Sequence, residues 1–363
     1  AGFRDSVVQI IEQSLLDNMS IYKQRLKNKQ AIILILKANA YGAGCVRVAE
    51  IFESENAVEY YAVASIDEGL ELRNAGIKKP IMILNMDIGL FDQAIDYNLE
   101  PVLINPAYTK ALISVSRNTN KQINVHINLD TGMHRVGYKP DEIEFLGAQL
   151  NENPNLCVKS IFSHYVASGN EAFDYYSLKQ LDEFNALAKS LTSIVKTDAK
   201  LHMANTGAAE RFVHENLALQ RIGIGMYGIA ATHIHLENVF SWKTKVAHIQ
   251  SIEPGETVSY NRTWTAERTS KIATVFVGYA DGLNRKLSNG NWSLKWNGKA
   301  LPIVGDICMD LCMIDATGYD VQIGDELTIL GSIKDIRKMC GVIDTIPYEI
   351  LTSISPRINR VYV

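Results

Sequence analysis

The sequence predicts an α/β fold, a parallel (β/α)8 barrel of the TIM type over residues 1–232 followed by a mostly β C-terminal domain over 233–363. Three observations carry this. Eight short apolar runs recur in the first 230 residues, and after the first each is preceded by a helix-like stretch. The runs are almost continuously apolar, as strands covered on both faces are. Beyond about residue 232 helix patterns thin out, and short strands separated by turn signals take over. Eight such units argue for a closed barrel, with a doubly wound open sheet as the alternative.

In chain order, an amphipathic stretch at 5–28 precedes "AIILILK" (31–37), then come "YYAVAS" (60–65) and "PIMILN" (80–85). "EPVLIN" (100–105), "INVHINL" (123–129) and "VKSIFSHY" (158–165) follow, and "KLHMAN" (200–205) and "LQRIGIG" (219–225) complete the eight. Stretches such as "DEGLELRNAG" and "DEIEFLGAQLNEN" between them read as helices. In the second part "KTKVAHIQSI", "ETVSYN", "KIATVFVGYADG", "SLKWNGKALPIVG", "DELTILG" and "INRVYV" read as strands with turns. No low-complexity linker divides the parts, so they are expected to pack firmly.

The chain has 363 residues, 47 % hydrophobic and 21 % charged, with a net charge of −4. That balance gives no reason to expect a nucleic acid or an anionic membrane as partner. No apolar run approaches the roughly 20 residues that span a bilayer. Arg4 and Asp5 near the start, followed by an amphipathic pattern, do not read as a secretory signal. Cys45, Cys157, Cys308, Cys312 and Cys340 are odd in number and scattered, with no zinc spacing, so no metal is expected and free thiols in a reducing cytoplasm are.

A barrel carries its working residues at the C-terminal ends of its strands. Lys37 ends the first run, His164 the sixth and Asn205 the seventh, with Thr206 and Gly207 after it. Arg221 lies in the eighth, before Gly223 and Gly225, and Arg135 lies in "DTGMHRVG" after the fifth. An amine, an imidazole and two guanidiniums would share one mouth with a small-residue turn, where barrels often hold phosphate through backbone N–H groups. A desolvated lysine opposite a phosphate cradle points to a Schiff base with pyridoxal 5′-phosphate, because desolvation favours the neutral, nucleophilic amine. Each residue taken alone has a plainer reading: Lys37 a solvated strand cap, Arg221 half of an ion pair, His164 a satisfied buried histidine.

"LKANAYGAG" resembles the pyridoxal phosphate-binding signature of alanine racemases. "LDTGMHRVGY", "HMANTGAAERF", "LQRIGIGMYG", "VSYNRTWTAERTSKIATVFVGYADGLNR", "LPIVGDICMDLCMIDAT" and "TIPYEILTSISPRINRVY" resemble further motifs of that family, in the same order and over nearly the whole chain. The resemblance implies a homodimer whose active sites are each completed by the partner's β domain. It implies that Lys37 holds the cofactor and acts as one base, and that Tyr260 of the other subunit is the second. Arg221 would face the pyridine nitrogen, with His202 behind it and His164 against Tyr260 and Arg221. Tyr41, Asn205, Thr206, Gly223 and Tyr348 would hold the phosphate or its surroundings. Arg135 would bond the cofactor phenolate and the substrate carboxylate, and Met309 of the partner would offer that carboxylate a backbone amide. Tyr279 and Asp310 would stand at the partner-side entrance. The implied reaction interconverts L- and D-alanine in the cytoplasm and supplies D-alanine for cell-wall peptide. Serine racemisation on the same scaffold is the alternative, and a non-catalytic carrier of the cofactor would have no use for Tyr260.

Four positions depart from the family pattern. Ala43 stands where a histidine is usual, Thr206 where serine is frequent, and His134 where glycine is common. His134 reads as a solvated side chain, and Asp130 as a cap of its loop through backbone N–H groups. At Asn128 many members carry a carbamylated lysine whose anionic group orients the arginine of the loop. Asparagine forms no carbamate, so Arg135 is expected to need another anion, such as chloride.

Overall fold

A computed structural model describes every residue except 1–5, 28, 120 and 213–216. Arg4 and Asp5, from which the absence of a signal was read, lie outside the described residues. The stretch 5–28 is not one amphipathic helix. Alternation of exposure over "VVQI" makes a strand, β1 (Val7–Ile10), and the 3.6-residue pattern begins only with the helix Glu12–Arg25, which buries Leu15, Met19 and Tyr22.

The barrel closes as predicted. Its strands are β2 (Ala31–Ile35), β3 (Val58–Val63), β4 (Ile81–Ile83), β5 (Glu100–Leu103), β6 (Ile123–Asn128), β7 (Leu156–Phe162), β8 (Lys200–His202) and β9 (Leu219–Ile222). They pair in parallel in that order, and β9 returns to β2 with Ala31 opposite Leu219 and Leu34 opposite Ile222. The strands stop short of the predicted mouth residues. Leu36 and Lys37 lie beyond Ile35, His164 two residues beyond Phe162, and Asn205 three beyond His202. Asn205 leaves the sheet to cap the helix Thr206–Arg211, its side chain accepting from the Ala208 N–H at 3.1 Å.

In the β domain the strands are β10 (Phe240–Ile252), β11 (Thr257–Val258), β12 (Trp264–Thr265), β13 (Ser270–Val275), β14 (Ser293–Trp296), β15 (Lys299–Val304), β16 (Cys312–Asp315), β17 (Glu326–Leu330) and β18 (Asn359–Tyr362). The order β10-β13-β16-β15-β14-β17 returns to β10 and closes a six-stranded ring. The first half of β10 also pairs with β1, and β1 pairs in parallel with β18. The N-terminal strand is therefore part of the β domain's sheet, and the chain crosses between the two parts at both ends.

That crossing positions the site. Arg360 on β18 donates to the Gly42 carbonyl at 2.8 Å, and the Tyr362 hydroxyl donates to the Ala43 carbonyl at 2.9 Å. A side chain at Gly44 would meet the Tyr362 hydroxyl at 1.9 Å, so the last strand clamps the turn that follows Lys37 and leaves no room for a larger residue. Ala43 is fully buried in that clamp.

Candidate active site

Ala38, Asn39, Ala40 and Tyr41 have φ of 53°, 53°, 51° and 54°, one complete left-handed turn made without glycine. Such backbone costs roughly 1–2 kcal/mol per residue and persists only where its surroundings over-determine it. Here Glu68 accepts from the Ala38 N–H at 2.6 Å and Asn39 from the Cys45 N–H at 2.8 Å, while β18 holds the far end. The turn delivers Lys37 to the mouth and folds Tyr41 back over β9, its ring 4.9 Å from that of Tyr227.

At the mouth lies a cavity of about 430 Å³. Lys37, Tyr41, Asn128, Arg135 and His164 line it from one side, and Asn205, Thr206, Arg221, Gly223 and Tyr348 from the other. Ten residues predicted for the site thus meet in one chain. Among the described residues its walls include three cations, Lys37, Arg135 and Arg221, and no aspartate or glutamate. Burial, then the charges of Arg135 and Arg221, hold the Lys37 amine below its usual value. Burial and the charges of Arg221, Arg135 and Lys37 push His164 down to about 3, so its imidazole is neutral near pH 7. Arg221 is lowered to about 9 by burial and by Arg135, and still carries its charge there.

Arg221 is the most firmly held of these groups. It donates to the Ser163 carbonyl at 2.7 Å, the Met203 carbonyl at 3.0 Å, His202 Nδ1 at 2.6 Å and His164 Nδ1 at 3.2 Å. His202 is not at the cavity wall but behind Arg221, with its ring stacked 4.7 Å from Phe162. The Thr206 hydroxyl accepts from the Gly223 N–H at 3.2 Å, tying the loop after β8 to the one after β9. A Cβ at Gly223 would meet the Tyr41 hydroxyl at 2.5 Å, so only glycine leaves the bare backbone there. Asp130 caps its loop as expected, accepting from the Gly132 and His134 N–H groups at 3.1 and 2.9 Å. His134 has φ of 52°, a conformation that glycine adopts freely, and its exposed ring pairs with Asp130 at 3.0 Å.

Besides His202, four predicted residues are absent from this cavity. Tyr260, Tyr279, Met309 and Asp310 sit on the surface of the β domain, with Tyr260 69 % and Met309 53 % exposed. Their loops are joined: Ser259 donates to the Asp306 carbonyl at 2.6 Å, and Tyr279 and Ala280 donate to the Cys308 and Met309 carbonyls at 3.0 Å. Asp310 pairs with Arg357, which also holds Asp281 at 2.7 Å. Gly278 makes the joint possible, since a Cβ there would lie 2.3 Å from the Met309 carbonyl oxygen. Gly278→Ala is accordingly expected to destabilise the protein by about 1–3 kcal/mol, seen as a lower unfolding midpoint, and to lower activity by displacing the loop of Met309.

Sequence reading missed Asn85 and Ser168, which also line the cavity. Ser168 donates to the Asn205 side chain at 2.7 Å. Asn85 ends the run "PIMILN", where the rule that strand ends share the mouth would have found it, whereas Ser168 stands in no run and reaches the mouth from a loop.

A model of the alanine racemase N-terminal domain matches residues 10–231, and one of the C-terminal domain matches residues 239–362. The chain belongs to the alanine racemase family. As a member it is a pyridoxal 5′-phosphate-dependent amino acid racemase. It is 37 % identical over 367 residues to alanine racemase 1 of Clostridium acetobutylicum, covering 96 % of this chain and 94 % of that one. The solved alanine racemase of Bacillus anthracis with bound L-Ala-P is similar at a TM-score of 0.93 and 30 % identity, covering 100 % of this chain and 96 % of that one. The alanine racemase of Bartonella henselae with covalently bound pyridoxal phosphate is similar at 0.86 and 28 %, covering 99 % of each.

The residues present fit the cofactor. Three cations with no carboxylate among the described lining residues suit an anionic guest, the bare backbone at Gly223 and the Thr206 turn leave room for a phosphate, and the lowered pKa of the Lys37 amine favours its nucleophilic form toward an aldehyde. Among the described residues no group of three metal-ligating side chains occurs, all five cysteines are free, and no helix is long and apolar enough to cross a membrane.

Proposed function

We propose that the chain racemises alanine with two bases on opposite faces of the substrate: Lys37 from its own barrel and Tyr260 from the β domain of a second copy. The observation that carries this is the split between the two groups. Lys37 opens into a cavity that holds ten of the predicted residues, whereas Tyr260 stands exposed on the β domain, outside that cavity. A base that must reach the cavity therefore comes from a neighbour, with Met309, Tyr279 and Asp310 carried on the same joined loops.

When bound, pyridoxal phosphate supplies the electron sink that makes an α-hydrogen acidic enough to remove. Lys37 would hold it covalently, Thr206, Gly223, Asn205, Tyr41 and Tyr348 would hold its phosphate end, and Arg221 would donate to its ring nitrogen. Because a guanidinium does not take up a proton, that nitrogen would stay unprotonated and the sink weak, which would favour return of the hydrogen to Cα over side reactions. Arg135 binds the substrate carboxylate, assisted by the Met309 amide. Lys37 exchanges a proton with Cα from one face and Tyr260 from the other. A tyrosine's reference pKa is about 10, so Tyr260 works as a base only where its ionised form is stabilised. Neutral His164, whose Nδ1 accepts from Arg221 and whose hydrogen is therefore on Nε2, donates to the Tyr260 oxygen and favours that form.

The reaction supplies D-alanine for cell-wall peptide, and its place is the cytoplasm, in keeping with five free cysteines. The test is turnover of purified protein on L-alanine, D-alanine and both serine enantiomers with added pyridoxal phosphate. Both alanine enantiomers should be racemised with higher kcat/KM than either serine. Faster turnover of serine would contradict the assignment of substrate.

A further inference from the structure

Five consecutive barrel strands each contribute one polar side chain to the barrel interior. Glu100 begins β5, His126 lies on β6, Ser160 on β7, His202 on β8 and Arg221 on β9. His126, Ser160 and His202 are inaccessible to solvent, Glu100 is 4 % exposed and Arg221 5 %. The registers set them on a rising spiral. His126 stands opposite Val102, two residues above Glu100, and Ser160 is level with His126. His202 is opposite Phe162, two above Ser160, and Arg221 is two above Leu219, the partner of His202. The spiral runs from the floor of the barrel to the mouth.

Along it every neighbour is hydrogen-bonded. Arg221 meets His202 Nδ1 at 2.6 Å, His202 Nε2 meets Ser160 Oγ at 2.9 Å, Ser160 Oγ meets His126 Nδ1 at 2.6 Å, and His126 Nε2 meets Glu100 Oε2 at 2.9 Å. The other Glu100 oxygen accepts from Asn124 at 2.9 Å. The two ends dictate every donor between them. A guanidinium only donates, so His202 Nδ1 is bare and its hydrogen is on Nε2. Ser160 accepts that hydrogen and spends its own on His126 Nδ1. His126 then carries its hydrogen on Nε2 and gives it to a carboxylate, which only accepts when ionised. Burial opposes the ionised form of Glu100, but hydrogen bonds from His126 and Asn124 and the charge of Lys159 prevail and hold it below its usual value.

We propose that Glu100, His126 and Ser160 form a one-way hydrogen-bond relay through the barrel core that locks His202 with its hydrogen on Nε2 and so fixes Arg221 at the mouth as a charged donor. None of the three lines the cavity; they are positioning residues for Arg221. If the terminal acceptor is lost, His126 is free to move its hydrogen to Nδ1. Ser160 then turns its hydrogen toward His202 Nε2, and the hydrogen of His202 is driven onto Nδ1, donor against donor with Arg221. The proposal rests on the reading of Arg221 given above, and its effect on turnover is expected to match what outer partners of a functional histidine are worth, about 10- to 100-fold.

The test is long-range ¹H–¹⁵N correlation on histidine-labelled holoenzyme, with His202 and His126 assigned by substitution, alongside racemisation kinetics. In the unaltered chain both rings should carry hydrogen on Nε2 and none on Nδ1. In Glu100→Leu, His202 should show an Nδ1-bound hydrogen, with kcat down about 10- to 100-fold and KM little changed. Ser160→Ala, which leaves no hydroxyl to turn a hydrogen toward His202, should keep Nε2, as should the double variant Glu100→Leu/Ser160→Ala. Glu100→Gln, whose amide oxygen still accepts from His126, should keep the original tautomer and most of kcat. His202 carrying its hydrogen on Nδ1 in the unaltered chain, or keeping Nε2 in Glu100→Leu, would overturn the relay whatever Arg221 does. A shifted tautomer with unchanged kcat would overturn the positioning role and leave the account of the two bases standing.

Discussion

Lys37→Ala should leave a folded protein with racemisation of both alanine enantiomers reduced by at least about 10⁴-fold, the upper end of what one acid–base group contributes. The loss is large because Lys37 has two tasks, holding the cofactor and exchanging a proton with Cα from one face. The fold should not suffer. The amine opens into the cavity, where partial burial and the charges of Arg135 and Arg221 hold its pKa below the usual lysine value. A lysine lowered on folding makes its charged form a liability of the native state. That liability is fully present below the folded-state value and disappears as pH rises to the unfolded one. The alanine variant without cofactor should therefore unfold no more easily than the parent at neutral pH, and any advantage should vanish in alkali. Thermal unfolding of the two apo proteins across pH measures this. Borohydride reduction of the parent should fix the cofactor on the peptide that contains Lys37; finding it on another lysine would refute the assignment.

Tyr260→Phe should separate the two faces. Phenylalanine keeps the ring and has no hydroxyl to take a proton. The family resemblance assigns the L-alanine proton to Tyr260 and the D-alanine proton to Lys37. In deuterated water the variant should still wash the α-proton of D-alanine into solvent. Exchange from L-alanine should slow by about 10²–10⁴-fold. Racemisation should fall in both directions, since each direction needs both faces. Proton NMR of each enantiomer follows the exchange directly. Equal exchange of both would mean that one base, or water, serves both faces.

Much of this site was legible because a barrel converts strand order into a place. Lys37, His164, Asn205 and Arg221 follow four apolar runs or lie within them, and strand ends in a barrel share one mouth. Their local backbone was not legible. Nothing in "KANAY" announces four left-handed residues, because the turn is imposed from outside by Glu68 and by β18, more than 300 residues away in the chain for Arg360 and Tyr362. The same distance hid the role of β1, whose four residues join a sheet built mainly from the other end of the chain. The polar residues inside the barrel did leave a trace. His126 interrupts "INVHINL" and Ser160 interrupts "VKSIFSHY", positions where an apolar residue would pack with no unpaired polar atom. Sequence alone cannot say that their partners are each other; that follows from the register of β6 on β7. The exposed face of Tyr260 and Met309 was foreseen only through the resemblance, since an aromatic after a turn is ordinary on a β surface.

The claim on which the account turns is that each working site is assembled from two copies of the chain, and subunit mixing tests it most directly. Lys37→Ala and Tyr260→Ala chains, each inactive alone, are combined under conditions where mass spectrometry demonstrates exchange. In a mixed dimer one site unites the intact Lys37 of one copy with the intact Tyr260 of the other, and the opposite site lacks both. With random exchange roughly half the dimers are mixed and each has one good site of two, so activity should return to roughly a quarter of the parent level. Proven exchange without any return of activity would place Lys37 and Tyr260 at a site within one chain and contradict the account.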